Sequence, residues 1–215
     1  MLLIAAAVEA ELEPLVKGYD FEAFRGPGLY HHRRRPVLAA AVGIGLVDFS
    51  AGLSPLLNQH GISRALLTGS CGVYPGFRER WPIGSLVRPD RVTLGDPAEA
   101  CRQAYFPAPL ERECRFEEEP DFGPEPEFGG HCLTLAAITS CDHAARRLEA
   151  FYQAAFEQME AFAFARLCRS HGVPAAGLFA VVNEVGAQAH RQWRAQARAG
   201  AEKCAAVLGR GLGLE

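Results

Sequence analysis

Short apolar runs alternate along the chain with longer stretches in which apolar positions recur at helical spacing. The clearest run, LLIAAAV, occupies residues 2–8, and further strands are predicted at residues 36–42, 63–67, 84–90, 133–139 and 175–182. Continuous apolar runs of this length are typical of strands buried on both faces of a parallel sheet. The intervening stretches predict helices that begin near residues 9, 47, 142, 156 and 189. Strands that alternate with helices predict an α/β protein with a largely parallel sheet.

One long segment, residues 97–130, interrupts this alternation. It is rich in proline and acidic residues and ends in EEEPDFGPEPEFGG, which predicts an irregular, mobile excursion. A length of 215 residues suits one large domain or two small ones. Because the strand–helix alternation resumes after the excursion, we expect residues 1–215 to form a single domain.

Composition and charge narrow the classes of function. With 49% hydrophobic and 22% charged residues, the chain has the make-up of an ordinary globular protein. A net charge of −3 provides no overall positive field for nucleic acid or an anionic membrane. The apolar start at residues 1–8 is too short to span a bilayer and lacks the basic lead of a signal peptide. We therefore expect a cytoplasmic protein that binds neither nucleic acid nor membrane.

Cysteine and histidine residues are scattered along the chain. None of the seven cysteines lies two or three residues from another, which argues against a zinc knuckle or a redox pair. Their odd number indicates reduced thiols. Cys71 is interpreted as a packing residue, since no histidine is close to it in sequence. Surface or capping roles are expected for His131, His143, His171 and His190, and neither a metal nor a cofactor is expected.

A predicted helix at residues 156–170 carries two carboxylates on an otherwise apolar stretch. Ala161, Phe164, Ala165 and Cys168 recur at helical spacing, and a helix that is apolar on most of its circumference is usually buried. Glu160 near its start is therefore expected in an enclosed place, where a carboxylate needs hydrogen-bond donors. Periodicity leaves open whether Glu160 is functional or a salt-bridged structural residue.

Small or polar residues stand where three of the predicted strands end. These are Gly43-Ile44-Gly45, Gly69-Ser70-Cys71-Gly72 and Asn183. Ligands of α/β proteins bind at the carboxyl ends of parallel strands, and glycine lets the backbone approach them closely. None of these loops matches the dinucleotide-binding fingerprint or the Walker A loop.

Five motifs in order resemble the nucleoside phosphorylase and nucleosidase superfamily. They are AAVEAEL at 6–12, VGIG at 42–45, TGSCG at 68–72, QMEAFAFARLC at 158–168 and VVNEVG at 181–186. The resemblance spans most of the chain. It implies a three-layer αβα sandwich around a mixed sheet, cleavage of the bond between ribose and a base, and a homodimer or higher homo-oligomer.

The resemblance also implies roles for individual residues. Glu11 matches the glutamate that activates water in the nucleosidase branch. Met159 and Glu160 match the pair that lies against the ribose, with the glutamate on the sugar hydroxyls. Ser70 and Gly72 match the loop beside sugar and base. Their neighbours Ile44, Cys71 and Gln158 are expected to line the substrate site, and Asn183 stands where many members carry an aspartate that protonates the purine.

Two features of the same motifs favour hydrolysis over phosphorolysis, and hypoxanthine over adenine. Residues 8–14, VEAELEP, replace the glycine- and arginine-containing phosphate loop of the phosphorylases, and a glutamate facing phosphate would repel it. The ending NEVG with Arg191 and Trp193 is most similar to futalosine hydrolases, which remove hypoxanthine from futalosine in an alternative menaquinone route. An asparagine amide at position 183 can donate to O6 and N7 of that base.

Three departures from the family pattern keep other functions open. Val182 replaces a usual serine, Phe179 a frequent arginine, and Ala144 lies near where some members stack an aromatic residue on the base. A purine nucleoside phosphorylase and a catalytically inactive nucleoside-binding homologue therefore remain alternatives to the hydrolase.

Overall fold

The fold is built around one mixed sheet, seen in a computed structural model that describes residues 1–26, 28–59, 61–117, 122 and 126–215. In chain order, the strands of the described residues are β1 (Leu2–Ala6), β2 (Phe21–Ala23), β3 (Leu29–His32), β4 (Val37–Ala41), β5 (Arg64–Val73), β6 (Leu86–Arg88), β7 (Arg91–Leu94), β8 (Glu113–Arg115), β9 (Glu127–Phe128), β10 (His131–Thr134), β11 (Phe156–Gln158) and β12 (Ala175–Glu184). The helices are α1 (Glu9–Gly18), α2 (Gly45–Gln59), α3 (Pro97–Ala100), α4 (Asp142–Tyr152), α5 (Ala161–Ser170) and α6 (Ala189–Gly211). None of these helices is long and apolar enough to cross a bilayer.

The centre of the sheet is parallel. β1 pairs in parallel with β4 and β5, and β5 pairs in parallel with β12. Antiparallel neighbours, such as β3 beside β4 and β6 beside β12, make the whole sheet mixed. Because parallel strands end at the same edge of a sheet, β1, β4, β5 and β12 deliver the segments that follow them to one place.

Alternate residues of β1 face two opposite layers of helices. Leu3 packs in a hydrophobic cluster that includes Phe164 of α5. Its neighbour Ile4 packs in a second cluster with Leu12 of α1 and Leu208 of α6. Burial on both faces explains why the strand sequences are apolar without alternation. The helices on both faces confirm the expected α/β, three-layer αβα sandwich.

The helix predicted at residues 156–170 is wrong in its first turn. Residues 156–158 instead form β11, which pairs in parallel with β10 and antiparallel with β5, so that Glu157 lies opposite Gly72. The helix itself begins at Ala161. Local spacing could not reveal this, since the hydrogen bonds that make 156–158 a strand go to segments distant in sequence. Glu157 therefore does not continue the helical face that contains Ala161.

The predicted excursion at 97–130 is more regular than its composition indicates. Residues 97–100 form α3, and residues 113–115 form β8, an antiparallel partner of β7. β7 itself was missed, and the strand predicted at 133–139 ends at residue 134. Residues 118–121 and 123–125, where the prediction of a mobile segment falls, lie outside the described residues.

Candidate active site

A cavity of about 310 Å³ opens at the edge where β1, β5 and β12 end. All nine residues expected at the site from sequence line it, namely Glu11, Ile44, Ser70, Cys71, Gly72, Gln158, Met159, Glu160 and Asn183. The lining also includes side chains that were not placed there in advance, among them Ile138, Glu157, His190 and Trp193. No three described His, Cys, Asp or Glu side chains are grouped so as to hold a metal ion.

Glu11 lies in α1, one turn after β1 ends, and its carboxylate accepts hydrogen bonds at both oxygens. Oε1 accepts from the backbone N and from Oγ of Ser70, each at 3.0 Å. Oε2 accepts from the backbone N of Ala7 at 3.3 Å. Burial raises the pKa of Glu11, while the hydrogen bonds from Ser70, Ala7 and Val8 oppose this change. A carboxylate with a raised pKa is a stronger base, which suits the removal of a proton from water.

Gly69 allows Glu11 to approach β5. Its φ of +151° lies in a region that side-chain-bearing residues rarely adopt, and a Cβ there would lie 2.7 Å from Glu11 Oε1. Any larger residue would therefore displace the carboxylate.

Glu160 immediately precedes α5, and its side chain is 3% exposed. Its Oε1 accepts a hydrogen bond of 2.7 Å from the backbone N of Gly45, the first residue of α2. Burial raises the pKa of Glu160 to about 7, and the negative charge of Glu11 contributes in the same direction. Two carboxylates on one small cavity therefore oppose each other's ionisation.

Gln158 holds Glu160 and the start of α5 together. Its Nε2 donates to Oε2 of Glu160. Its Oε1 accepts from the backbone N of Ala161 at 2.6 Å and also from the backbone N of Glu160. Backbone N–H groups at the start of a helix have no partner within the helix and need another acceptor. The side chain of Glu160 does not cap α5, and Gln158 caps it instead.

Asn183 is 9% exposed and follows an irregularity in β12, where the register with β5 shifts between Val181 and Asn183. Its Nδ2 donates to the backbone O of Glu184 at 3.0 Å. One of the two amide hydrogens is therefore used inside the protein, which corrects the expectation that both are free for a purine. A Cβ on Gly72 would lie 2.8 Å from Asn183 Nδ2, so glycine at 72 leaves room for the amide.

Two of the lining residues, Glu157 and Cys71, have roles within the protein itself. Glu157 is buried and accepts hydrogen bonds from Tyr74 Oη at 2.7 Å, from Thr139 N at 2.9 Å and from Thr139 Oγ1 at 2.7 Å. It thereby holds the segment that carries Ile138 to the cavity. Burial raises the pKa of the Cys71 thiol well above its ordinary value, so the thiol stays protonated and suits packing.

The expected surface or capping role was wrong for His131 and incomplete for His190. His131 is not on the surface; it is 7% exposed, and its Nε2 lies 2.8 Å from Thr93 Oγ1. His190 is exposed but also lines the cavity, where its ring stacks on Trp193. Helical spacing along α6 was the available signal for His190, since Trp193 is three residues further on.

The three residues that depart from the family pattern lie outside the cavity lining. Phe179 and Val182 are buried in the hydrophobic clusters on opposite faces of the sheet. Neither these two residues nor Ala144 lines the cavity.

Comparisons with known proteins agree with this architecture. Residues 3–212 match the family model described as "Phosphorylase superfamily". Futalosine hydrolases of Streptomyces coelicolor and Thermus thermophilus are 29% and 27% identical to the chain. The first alignment is 214 positions long and covers 90% of this chain and 88% of the relative, and the second is 205 positions long and covers 90% and 87%.

Solved structures show the same fold at lower identity. A futalosine hydrolase mutant of Helicobacter pylori strain 26695 superposes with a TM-score of 0.84 at 17% identity, covering 99% of this chain and 98% of that one. The MTA/SAH nucleosidase of Streptococcus pneumoniae in complex with 8-aminoadenine superposes with a TM-score of 0.82 at 17% identity, covering 100% and 99%. Since the family match extends over nearly the whole chain, this protein belongs to the phosphorylase superfamily.

Proposed function

We propose that the protein is an N-ribosyl hydrolase that cleaves futalosine and releases hypoxanthine, a step in menaquinone biosynthesis. The observation that carries the proposal is a pair of carboxylates on one cavity, with Glu160 buried and Glu11 partly buried. The two curated relatives that match nine-tenths of the chain are futalosine hydrolases, which supports this substrate.

In the proposed reaction, each carboxylate has a separate task. Cleavage of the bond between ribose and base develops positive charge on the sugar ring, as in other glycoside cleavages. Ionised Glu160 accepts hydrogen bonds from the 2′- and 3′-hydroxyls. Glu11 removes a proton from water on the opposite face of the sugar, and the oxygen of that water bonds to the anomeric carbon as the base departs. The base departs with the electron pair of the broken bond, and Asn183 stabilises it by a hydrogen bond without delivering a proton. The base then takes up a proton from solvent, and Glu11 returns the proton of water to solvent.

Phosphorolysis fits the cavity less well. Phosphate is an anion that proteins bind with arginine, lysine or backbone N–H groups. The described lining contains neither lysine nor arginine, whereas it contains three glutamates, Glu11, Glu157 and Glu160. An anion placed there would be repelled by carboxylates in a partly enclosed site.

The base preference follows from Asn183. One of its amide hydrogens remains for O6 or N7 of a 6-oxopurine, since the other is held by Glu184. With adenine, the amide can donate to N7 and accept from the 6-amino group, but it cannot transfer a proton to N7 as an aspartic acid at this position could. Adenine would therefore leave without acid assistance, and this lack of assistance is the basis of the preference that we propose.

The experiment is a nucleoside panel that includes futalosine and matched inosine- and adenosine-type substrates, assayed for released base. We expect futalosine to be cleaved, with a higher kcat/KM for hypoxanthine ribosides than for adenine ribosides. Asn183→Asp should shift the ratio towards adenine ribosides. An unchanged ratio in Asn183→Asp would mean that Asn183 does not select the base, and absence of any released base would overturn the hydrolase itself.

We also propose that the protein works in the cytoplasm as a homodimer. Ile44 and Ile138 line the cavity yet are 56% and 60% exposed, and Val47 nearby in sequence is 81% exposed. Apolar side chains exposed at the mouth of a site are suited to cover by a second subunit. Sedimentation equilibrium at micromolar concentration would show a monomer if this is wrong.

A further inference from the structure

Trp193 contacts Ser70, the residue whose backbone N–H and hydroxyl hold Glu11. Trp193 lies near the start of α6, is 41% exposed and lines the cavity wall. Its Nε1 lies 3.3 Å from Ser70 Oγ, although 123 residues separate the two positions. The indole also stacks on His190, with ring centroids 6.1 Å apart and planes at 17°.

The chemistry of the three groups fixes the direction of the Ser70 hydroxyl. An indole N–H can only donate, and an ionised carboxylate can only accept. Ser70 Oγ lies between Trp193 Nε1 and Glu11 Oε1, so it must accept from the first and donate to the second. The backbone N of Ser70 donates to the same Oε1 at 3.0 Å. Both donors of Ser70 therefore occupy one oxygen of Glu11.

This arrangement distinguishes the two oxygens of the proposed base. Oε1 accepts two hydrogen bonds of 3.0 Å from Ser70, whereas Oε2 accepts a longer one of 3.3 Å from Ala7, and the backbone N–H of Val8 also interacts with the carboxylate. We infer that Trp193 is a positioning residue, which acts through the Ser70 hydroxyl to hold Glu11 with Oε2 as the oxygen that accepts the proton of water. The role of Glu11 as base rests on the proposed function. The relay, by which we mean the hydrogen bonds that connect Trp193 through the Ser70 hydroxyl to Glu11, does not.

Other groups also interact with Glu11. The charge of Glu11 raises the pKa of Glu160, at the start of α5, and the pKa of Cys204, in α6. Backbone N–H groups of Ala7 and Val8 face Glu11 from the segment before α1. Trp193→Phe leaves all of these in place; it removes the N–H and makes the side chain smaller, while it keeps an aromatic ring for His190.

The first test needs no turnover. With the glutamate carboxyls labelled with ¹³C, the titration of Glu11 is followed by NMR and is assigned by the signal missing in Glu11→Gln. Loss of the indole donor frees the hydroxyl to turn away from the carboxylate, so the midpoint in Trp193→Phe should rise by roughly half a pH unit or more. In a Ser70→Ala background, Trp193→Phe should cause no further change. An unchanged midpoint, or the same rise without the serine hydroxyl, overturns the relay.

The second test applies the same pair of variants to base release. Trp193→Phe should lower kcat about three- to tenfold at neutral pH with little change in KM, and the loss should shrink as pH rises. The effect should vanish in the Ser70→Ala background, because residues that act in series are not additive. A change in KM alone would make Trp193 a wall residue and overturn the inference. Should no nucleoside be cleaved, the proposed function fails while the titration still decides the relay.

Discussion

At the scale of single residues, Glu11 and Glu160 are the same side chain in different surroundings. Glu160 is buried and Glu11 is partly buried, and their burial raises the pKa of each, but their hydrogen-bond donors differ. Glu11 is held by Ser70 on β5, and Glu160 by Gly45 and Gln158 at two helix starts. In the proposed reaction, this difference separates the carboxylate that accepts a proton, Glu11, from the one that binds the sugar hydroxyls, Glu160.

Glu11→Gln tests the first of these roles. An amide cannot accept the proton of water, so kcat should fall by ~10²–10⁴-fold, the usual worth of a general base. KM should change little, because a base acts mainly in the transition state. Steady-state kinetics with the best nucleoside of the panel measures both parameters.

Glu9→Gln is the matched control for that variant. Glu9 lies in the same first turn of α1, but it is exposed and does not line the cavity. Its kcat should match that of the unmodified protein. A Glu11→Gln variant that loses only substrate affinity would contradict the role of Glu11 as base.

At the scale of elements, the junction of β11 and α5 sets the charge of Glu160. Gln158 ends β11, and its amide caps α5 through oxygen while it donates to Glu160 through nitrogen. A glutamate at 158 would keep the capping oxygen but replace the donor by a like charge. Such a change separates capping of the helix from support of Glu160.

Gln158→Glu should therefore raise the pKa of Glu160 above its value of about 7. Since the proposed binding of the sugar requires ionised Glu160, kcat/KM should fall on the acidic side, with the fall displaced to higher pH in the variant. The measurement is the pH profile of kcat/KM from pH 5 to 9 together with the circular dichroism of both proteins. Superimposed profiles would show that Gln158 does not support Glu160.

The sequence predicted the site better than it predicted this junction. Strand ends of a parallel sheet converge, so residues such as Ser70 and Asn183 were brought together by topology alone. By contrast, residues 156–162, FEQMEAF, fit a helix locally. The first three of them form β11 only because they make hydrogen bonds to β5 and β10. The contact of Trp193 with Ser70 was equally hidden, because it depends on how α6 lies across the ends of the strands.

At the scale of the whole molecule, the fold maintains an acidic cavity at a cost in stability. Glu160 has a pKa of about 7 in the folded protein and 4.5 as its ordinary value. Folding therefore favours its protonated form. The stability that this group contributes is fully present below pH 4.5 and is lost as pH rises through 7.

Glu160→Gln should lower the activity of the protein while it raises its stability at higher pH. The neutral amide removes the burial cost of the charge, so the variant should gain stability over the unmodified protein as pH rises from 5 to 8, by at most on the order of 3 kcal/mol. Its kcat/KM should fall roughly a hundredfold or more, because a charged hydrogen-bond acceptor for the sugar is lost.

Urea unfolding at pH 5 and pH 8 compares the free energies of unfolding of the two proteins. A stability difference that is the same at both pH values would mean that Glu160 does not ionise between them. Near-full activity of Glu160→Gln would remove it from sugar binding.

The most direct measurement of the central claim is the identity of the sugar product. Futalosine is incubated with the protein with and without added phosphate, and the products are resolved by mass spectrometry. Water activated by Glu11 should yield hypoxanthine and the free sugar at a rate that phosphate does not increase. A ribosyl phosphate, formed only when phosphate is present, would contradict the account.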